Sequence, residues 1–344
     1  MNKDIHLNSI IVVCPMALTD EQMDRLHRVS SRLEFHVLPD VKREELSQSI
    51  HDSAEVVFGN GAFLYNAQQM PSLNWIQVTS AGVDRLQGQP IWNSDVAITT
   101  ASGIHGVPIA ERTMAMMLAF RAKLPELWHY KQQKQWPAAP KSMFANPGVR
   151  GSTLGIIGYG AIGGEIARQA DALGMRVLGL NTDGTRRVLE SYVEPGTGDP
   201  EMRIPEQMYA RDDLTAMLAE CDHVVALAPL TPATRHMIDA QAFASMKQTA
   251  YFYNFGRGPI VDETALVSAL EQGDIAGAGL DVFEQEPLPA DSPLWGMPNV
   301  IISPHVGGSR SDYTDRAIDV FAHNLQRYLD NEPLVNAVDR KRGY

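Results

Sequence analysis

The sequence predicts an α/β protein of two domains with parallel sheets. Three observations carry that expectation. Short apolar runs alternate with amphipathic segments through residues 1–100, the same rhythm restarts near Gly151, and a chain of 344 residues is long enough for two hydrophobic cores. In the first unit, strands are expected at 10–13, 34–38, 55–58 and 75–78, with helices after Thr19 and after Val41. Residues 107–118 (VPIAERTMAMML) place apolar side chains at helical spacing and read as a domain-connecting helix, with Met114, Met116 and Met117 as packing groups. From 128 to 149 the chain is rich in Lys, Gln, Pro and Ala without clear periodicity, which leaves a surface linker or an arm laid against a partner subunit. The second unit offers strands at 153–157, 176–180, 223–228 and 250–254 and a helix at 162–173. Residues 194–205, dense in Gly and Pro, read as an inserted loop.

Composition narrows the function classes. With 44% hydrophobic and 20% charged residues the chain is ordinary globular protein, and its formal charge of −12 repels a phosphate backbone or an anionic bilayer, so neither nucleic acid nor membrane is expected as a partner. A small anionic substrate would need a locally positive pocket. Cys14 and Cys221 lie far apart without Cys/His ligand spacing, so neither a disulfide framework nor a metal is expected. The N-terminal apolar run, 10–13, is too short for a signal segment or a membrane span, and a cytoplasmic location follows as the expectation.

The sharpest local signal is Gly158-Tyr-Gly160-Ala161-Ile162-Gly163, directly after one expected strand and directly before a helix. The first glycine permits the tight turn, the second lets backbone approach a pyrophosphate, the third lets helix pack on strand, and the helix N-terminus attracts the anion. An acidic residue ending the second strand would take a ribose 2′-hydroxyl, but Asn181 stands there, followed by Asp183, Arg186 and Arg187. Positive charge at that point leans the cofactor toward NADP(H) over NAD. Downstream lie Asn254-Phe255-Gly256-Arg257-Gly-Pro-Ile-Val-Asp262, Gly279-Leu-Asp281-Val-Phe-Glu-Gln-Glu286-Pro287 and Ser303-Pro-His305-Val-Gly307-Gly308. Together they supply an Arg that can fork onto a carboxylate, a His that can carry a proton and a Glu that can hold that His protonated, the three roles a keto-acid reductase needs.

With these motifs in this order along nearly its whole length, the chain resembles the D-isomer-specific 2-hydroxyacid dehydrogenase family. That resemblance implies Arg257, Glu286 and His305 as the catalytic set. It implies substrate-carboxylate contacts from the amides of Ser80, Ala81, Gly82 and Val83, a small anion nest. Beyond the fingerprint, cofactor contacts fall on Asn181, Arg186, Pro229, Thr234, Phe255, Gly256, Asp281, Gly307 and Gly308, while the family's ribose-binding acid is missing at Asn181. His105, before the connecting helix, reads as structural.

The resemblance further implies two Rossmann-like or flavodoxin-like domains, 1–104 plus 306–344 for substrate and 105–305 for NAD(P), with the active site in the cleft between them. A small 2-keto acid of the glyoxylate or hydroxypyruvate kind would be reduced, His305 giving the proton. A homodimer is the implied assembly, and Trp128, Trp136, Met143 and Phe144 suit either an interface or the pocket. Two other readings share the fold: a phosphoglycerate, formate or phosphite dehydrogenase, and a dinucleotide-sensing corepressor that binds without turnover.

Overall fold

The computed structural model describes residues 9–341 and 343; the flank 1–8 of the N-terminal reading lies outside the described residues. The chain begins with β1 (Ile10–Cys14), α1 (Asp20–His27), β2 (Leu33–Val37), α2 (Gln48–Ser53), β3 (Ala54–Gly59), β4 (Trp75–Val78) and β5 (Ala97–Thr99). Thr19 starts α1 with a capping box, its hydroxyl accepting from the Gln22 amide while Gln22 reaches back to the Thr19 N–H. Where a helix is expected after Val41, only a turn of 3-10 helix at Arg43–Glu45 and the six-residue α2 form, with no buried side chain in either. The strands pair parallel in the order β2-β1-β3-β4-β5.

The chain continues through α3 (Gly106–Arg121), α4 (Leu124–Gln132), α5 (Pro140–Met143), β6 (Thr153–Ile157), α6 (Ala161–Ala172), β7 (Arg176–Leu180), β8 (Gln207–Tyr209), α7 (Leu214–Glu220) and β9 (His223–Ala226). It then runs through α8 (Ala240–Ala244), β10 (Tyr251–Asn254), α9 (Glu263–Gln272), β11 (Gly277–Leu280) and β12 (Val300–Ile302) to α10 (Tyr313–Leu329). The second sheet is parallel throughout, in the order β12-β11-β10-β9-β6-β7-β8. Strand order reverses between β6 and β9, the point of a doubly wound sheet where ligands bind beyond the carboxyl ends. The stretch 128–149, without readable periodicity, contains most of α4 and all of α5; neither buries a side chain, so there was no core-facing stripe to read.

Two compact units result. One comprises residues through Ile104, Glu190–Tyr192 and everything from Arg310; the other comprises His105–Leu189 and Val193–Ser309. The expected return at 306 thus falls at 310, and three residues beside the inserted loop belong to the first unit rather than the second. In the first unit, α10 buries Ile318, Val320, Phe321 and Leu325, and Phe321 stacks on Phe58 with ring centres 4.3 Å apart. Two buried polar pairs lie in this unit: Trp75 Nε1 donates to Thr99 Oγ1 at 2.7 Å and Asn324 Nδ2 to Gln77 Oε1 at 3.0 Å. In the second unit, α3 and α6 pack Ala110, Met114, Met117 and Phe120 with Ile166, Ala167 and Ala170 on one side of the sheet. Leu218, Phe243, Leu266 and Leu270 of α7, α8 and α9 fill the other.

Candidate active site

The turn from β6 into α6 makes an anion cradle. Gly158 has φ 91°, and a Cβ there would lie 2.6 Å from the Ala228 amide nitrogen, so only glycine lets the turn pass the end of β9. A Cβ on Gly163 would lie 3.0 Å from Ile156 Cγ2, which sets how closely α6 rests on β6. Around Gly160, by contrast, a Cβ would meet nothing within 4 Å, and this residue caps α6 without a side-chain bond. Open space over the first amides of a helix, Ala161 and Ile162 among them, fits a pyrophosphate.

Past β7, Asn181 shapes the next turn. Its Oδ1 accepts from the Gly184 amide at 2.7 Å and its Nδ2 donates to Thr185 O at 2.7 Å. A cavity of about 170 Å³ opens there, lined by Tyr159, Asn181, Thr182, Arg187, Leu189 and Met202. Arg187 donates to Asp183 and to the Thr185 hydroxyl. The Thr185 hydroxyl and amide, and then Arg187, hold the Asp183 carboxyl below the usual range. Arg186 sits otherwise: its guanidinium donates to the carbonyls of Met202, Arg203, Pro205 and Glu206.

The inserted loop is bolted to the fingerprint. Tyr159 donates its hydroxyl to Asp199 Oδ2 at 2.7 Å, and the buried Asp199 also accepts from the amides of Arg203 and Ile204, both at 2.9 Å. Burial, and then this bond to a carboxylate, push the Tyr159 hydroxyl above its ordinary range. On α6 the buried Glu165 accepts from the Gly198 amide at 2.7 Å and from Arg168 and Gln169. Burial pushes the Glu165 carboxyl up, but these bonds outweigh it and leave it lowered.

The chemistry-bearing loops follow β10, β11 and β12, three neighbouring strands. Arg257 leaves β10 on an extended backbone with Nη1 donating to Gly256 O at 3.0 Å. A Cβ on Gly258 would overlap Phe283 O at 1.8 Å, so the Arg257 loop lies directly on the loop that carries Glu286. Glu286 accepts from the Phe283 amide at 3.1 Å through Oε1 and from His305 Nδ1 at 2.6 Å through Oε2. His305 is half exposed. With Nδ1 engaged by a carboxylate, Nε2 is the ring nitrogen left to exchange a proton. Asp281, 3% exposed, accepts from the amides of Val306 at 3.0 Å and Gly307 at 2.8 Å and from the Ser303 hydroxyl.

Phe255 lies where a Gly307 Cβ would meet its ring at 2.9 Å, and the His105 ring lies against Gly308 in the same way at 2.6 Å. Gly256 passes the end of β9, where a Cβ would sit 3.2 Å from Ala228 O. Thr234 Oγ1 donates to Pro229 O at 2.6 Å and accepts from the Thr231 amide, fixing the loop after β9. In the first unit, the turn after β4 has Ser80 Oγ donating to Gly82 O at 2.8 Å and the Ser80 carbonyl accepting from Ala101. The neighbouring Ala81 carbonyl accepts from Ser102 Oγ, and Leu86 bonds Val83 O.

The family model for the NAD binding domain of D-isomer specific 2-hydroxyacid dehydrogenases matches residues 114–307. The chain belongs to this family. Among its relatives, glyoxylate/hydroxypyruvate reductase B of Citrobacter koseri is 33% identical over 291 residues, 83% of this chain and 85% of that protein. A D-isomer specific 2-hydroxyacid dehydrogenase family protein from Aeromonas salmonicida is similar in structure, with TM-score 0.76 and 31% identity over 97% of this chain and all of that one. An NADPH-dependent glyoxylate/hydroxypyruvate reductase from Sinorhizobium meliloti, in complex with NADP and sulfate, gives TM-score 0.75 and 25% identity over 98% of this dehydrogenase and all of that chain. The dehydrogenase is thus an NAD(P)-dependent oxidoreductase of the D-2-hydroxyacid type with two parallel-sheet domains. No described helix is long and apolar enough to cross a membrane.

Proposed function

We propose that the protein reduces a small 2-keto acid, glyoxylate or hydroxypyruvate, at the expense of NADPH. The observation that carries this reading is the His305–Glu286 pair, Nδ1 to Oε2 at 2.6 Å, in the loops after β12 and β11, with Arg257 in the loop after the neighbouring β10. The names of the relatives from Citrobacter koseri and Sinorhizobium meliloti support the substrate and cofactor.

The chain's residues divide the work. A nicotinamide dinucleotide, when bound, supplies the hydride. The amides at Gly160, Ala161 and Ile162 hold its pyrophosphate, and Phe255, Gly256, Asp281, Gly307 and Gly308 shape the far end of its site. Arg257 binds the substrate carboxylate and draws electron density from the keto oxygen. His305 Nε2 gives its proton to that oxygen as negative charge develops, while Glu286 stabilises the imidazolium through Nδ1. Ser80, Ala81, Gly82 and Val83 are assigned to the substrate carboxylate as an amide nest.

We also place the protein in the cytoplasm, which the two buried free thiols support, and assign it to a homodimer. Leu124, Leu127, Trp128, Trp136 and Met143 are exposed, Trp136 to 88%, and aromatic and methionine side chains on one arm suit self-association.

The test is oxidation of NADPH and NADH in parallel with glyoxylate, hydroxypyruvate, pyruvate and bulkier 2-keto acids. Turnover on the two small acids is expected, with His305→Ala lowering kcat by about 10² to 10⁴. Tight dinucleotide binding without turnover on any acid would overturn the reading.

A further inference from the structure

Two adjacent arginines follow β7, and their surroundings differ in kind. Arg186 donates to four backbone carbonyls between Met202 and Glu206, at 2.7 Å to Met202 O and 3.1 Å to Glu206 O, and so closes the inserted loop on itself. Its guanidinium is a structural clamp. Arg187 lines the cavity with Asn181 and Thr182, and among the described residues its carboxylate partner is Asp183, in a pair about half exposed on both sides.

We propose that Arg187, and not Arg186, reads the 2′-phosphate of NADP(H), and that Asp183 holds its guanidinium until then as an in-chain stand-in for that phosphate. The inference rests on the reading of this protein as an NADPH-using reductase and names what selects the cofactor. A guanidinium forks onto a phosphate bidentately with short, charge-assisted bonds. An exposed ion pair contributes little, so exchanging Asp183 for the phosphate is easily reversed. When the ribose carries only a hydroxyl, the pair stays closed and no cation is left unpaired beside the adenosine. Asp183 also retains the Thr185 amide and hydroxyl at 3.1 and 2.8 Å, so the turn survives the exchange.

The arrangement predicts opposite effects from the two partners. Arg187→Ala removes discrimination for the phosphate, whereas Asp183→Asn removes the competitor and strengthens it. Calorimetric binding of adenosine 2′,5′-bisphosphate and of 5′-AMP isolates the 2′-phosphate without any turnover. The wild type is expected to prefer the bisphosphate, and Arg187→Ala to shrink that preference by about 10- to 100-fold while leaving 5′-AMP binding in place. Arg187→Lys should restore part of it and Asp183→Asn should widen it. A wild type that binds the two alike would sink the NADPH reading itself. A wild-type preference that survives Arg187→Ala, or that vanishes in Arg186→Ala with 5′-AMP binding intact, would overturn the assignment to Arg187 and leave that reading standing.

Discussion

His305 sits at φ 52°, in the left-handed region, where a non-glycine residue carries about 1 kcal/mol of strain. Its own amide bonds Asp281 O at 2.8 Å, and Asp281's carboxylate takes the next two amides, so the loop holds the ring against Glu286. The Arg, Glu and His proposed for catalysis could be singled out from the sequence because they stand in ordered motifs. The role of Asp281 was not, since its partners lie 22 to 26 residues further on and nothing in a Gly-Leu-Asp triplet announces them. His223 offers a prediction of a different sort. It is fully buried on β9, bonded to Tyr253 OH through Nδ1, and burial, with Arg121 adding, lowers its pKa to about 4 from 6.5. A folded-state value below the unfolded one means that protons favour the unfolded chain. The stabilisation is therefore complete above about pH 6.5 and is lost as pH falls toward 4, a difference of about 3 kcal/mol. His223→Gln should flatten the fall in thermal midpoint across that window. An identical pH dependence in the two proteins would show that His223 does not titrate there.

At the scale of elements, the cofactor side of the sheet depends on a loop that has no regular structure. Asp199 joins it to the fingerprint through Tyr159 and to itself through two amides, and a Cβ on Gly164 of α6 would lie only 2.7 Å from the Asp199 nitrogen. Asp199→Asn keeps the size but exchanges one acceptor oxygen for a donor, leaving a buried partner unmet, a loss of about 1 to 3 kcal/mol. Denaturant unfolding should register that loss, and NADPH binding should weaken along with it. Unchanged NADPH affinity in a destabilised variant would separate the loop from the cofactor site. From sequence this segment reads only as Gly- and Pro-rich, because its order comes from side chains of α6 and from Tyr159. The short strands were hidden for other reasons. β5 and β8 have three residues each, too few to alternate, and β11 is Gly-Ala-Gly-Leu, where a Cβ on Gly279 would lie 2.8 Å from both Met116 and Tyr253. Close packing there excludes the branched side chains that announce a strand.

For the whole molecule, the helical arm after α3 makes a claim about assembly. Trp128 is 58% exposed and Leu127 40%, on a helix that buries nothing in its own chain. If the proposed homodimer forms through this arm, replacing both by Ser should move the sedimenting species from dimer to monomer while the thermal midpoint of the isolated fold changes little, since α4 has no buried side chain. A wild type that sediments as a monomer would remove the dimer. The division of the chain was legible in the restart of the α/β rhythm at Gly151, but the place of Glu190–Tyr192 was not. Its amide at Tyr192 bonds Asn336 Oδ1 at 2.9 Å, the Tyr192 ring meets His323 edge-on, and a Cβ on Gly103 would overlap the Tyr192 carbonyl. Those contacts are with residues far away in the chain. For anyone assembling hybrid enzymes, this segment rules out the obvious graft. Exchanging a cassette cut after Ile104 and before Arg310 would transplant three residues whose partners stay behind, so a working hybrid must be spliced at Leu189 and Val193 as well.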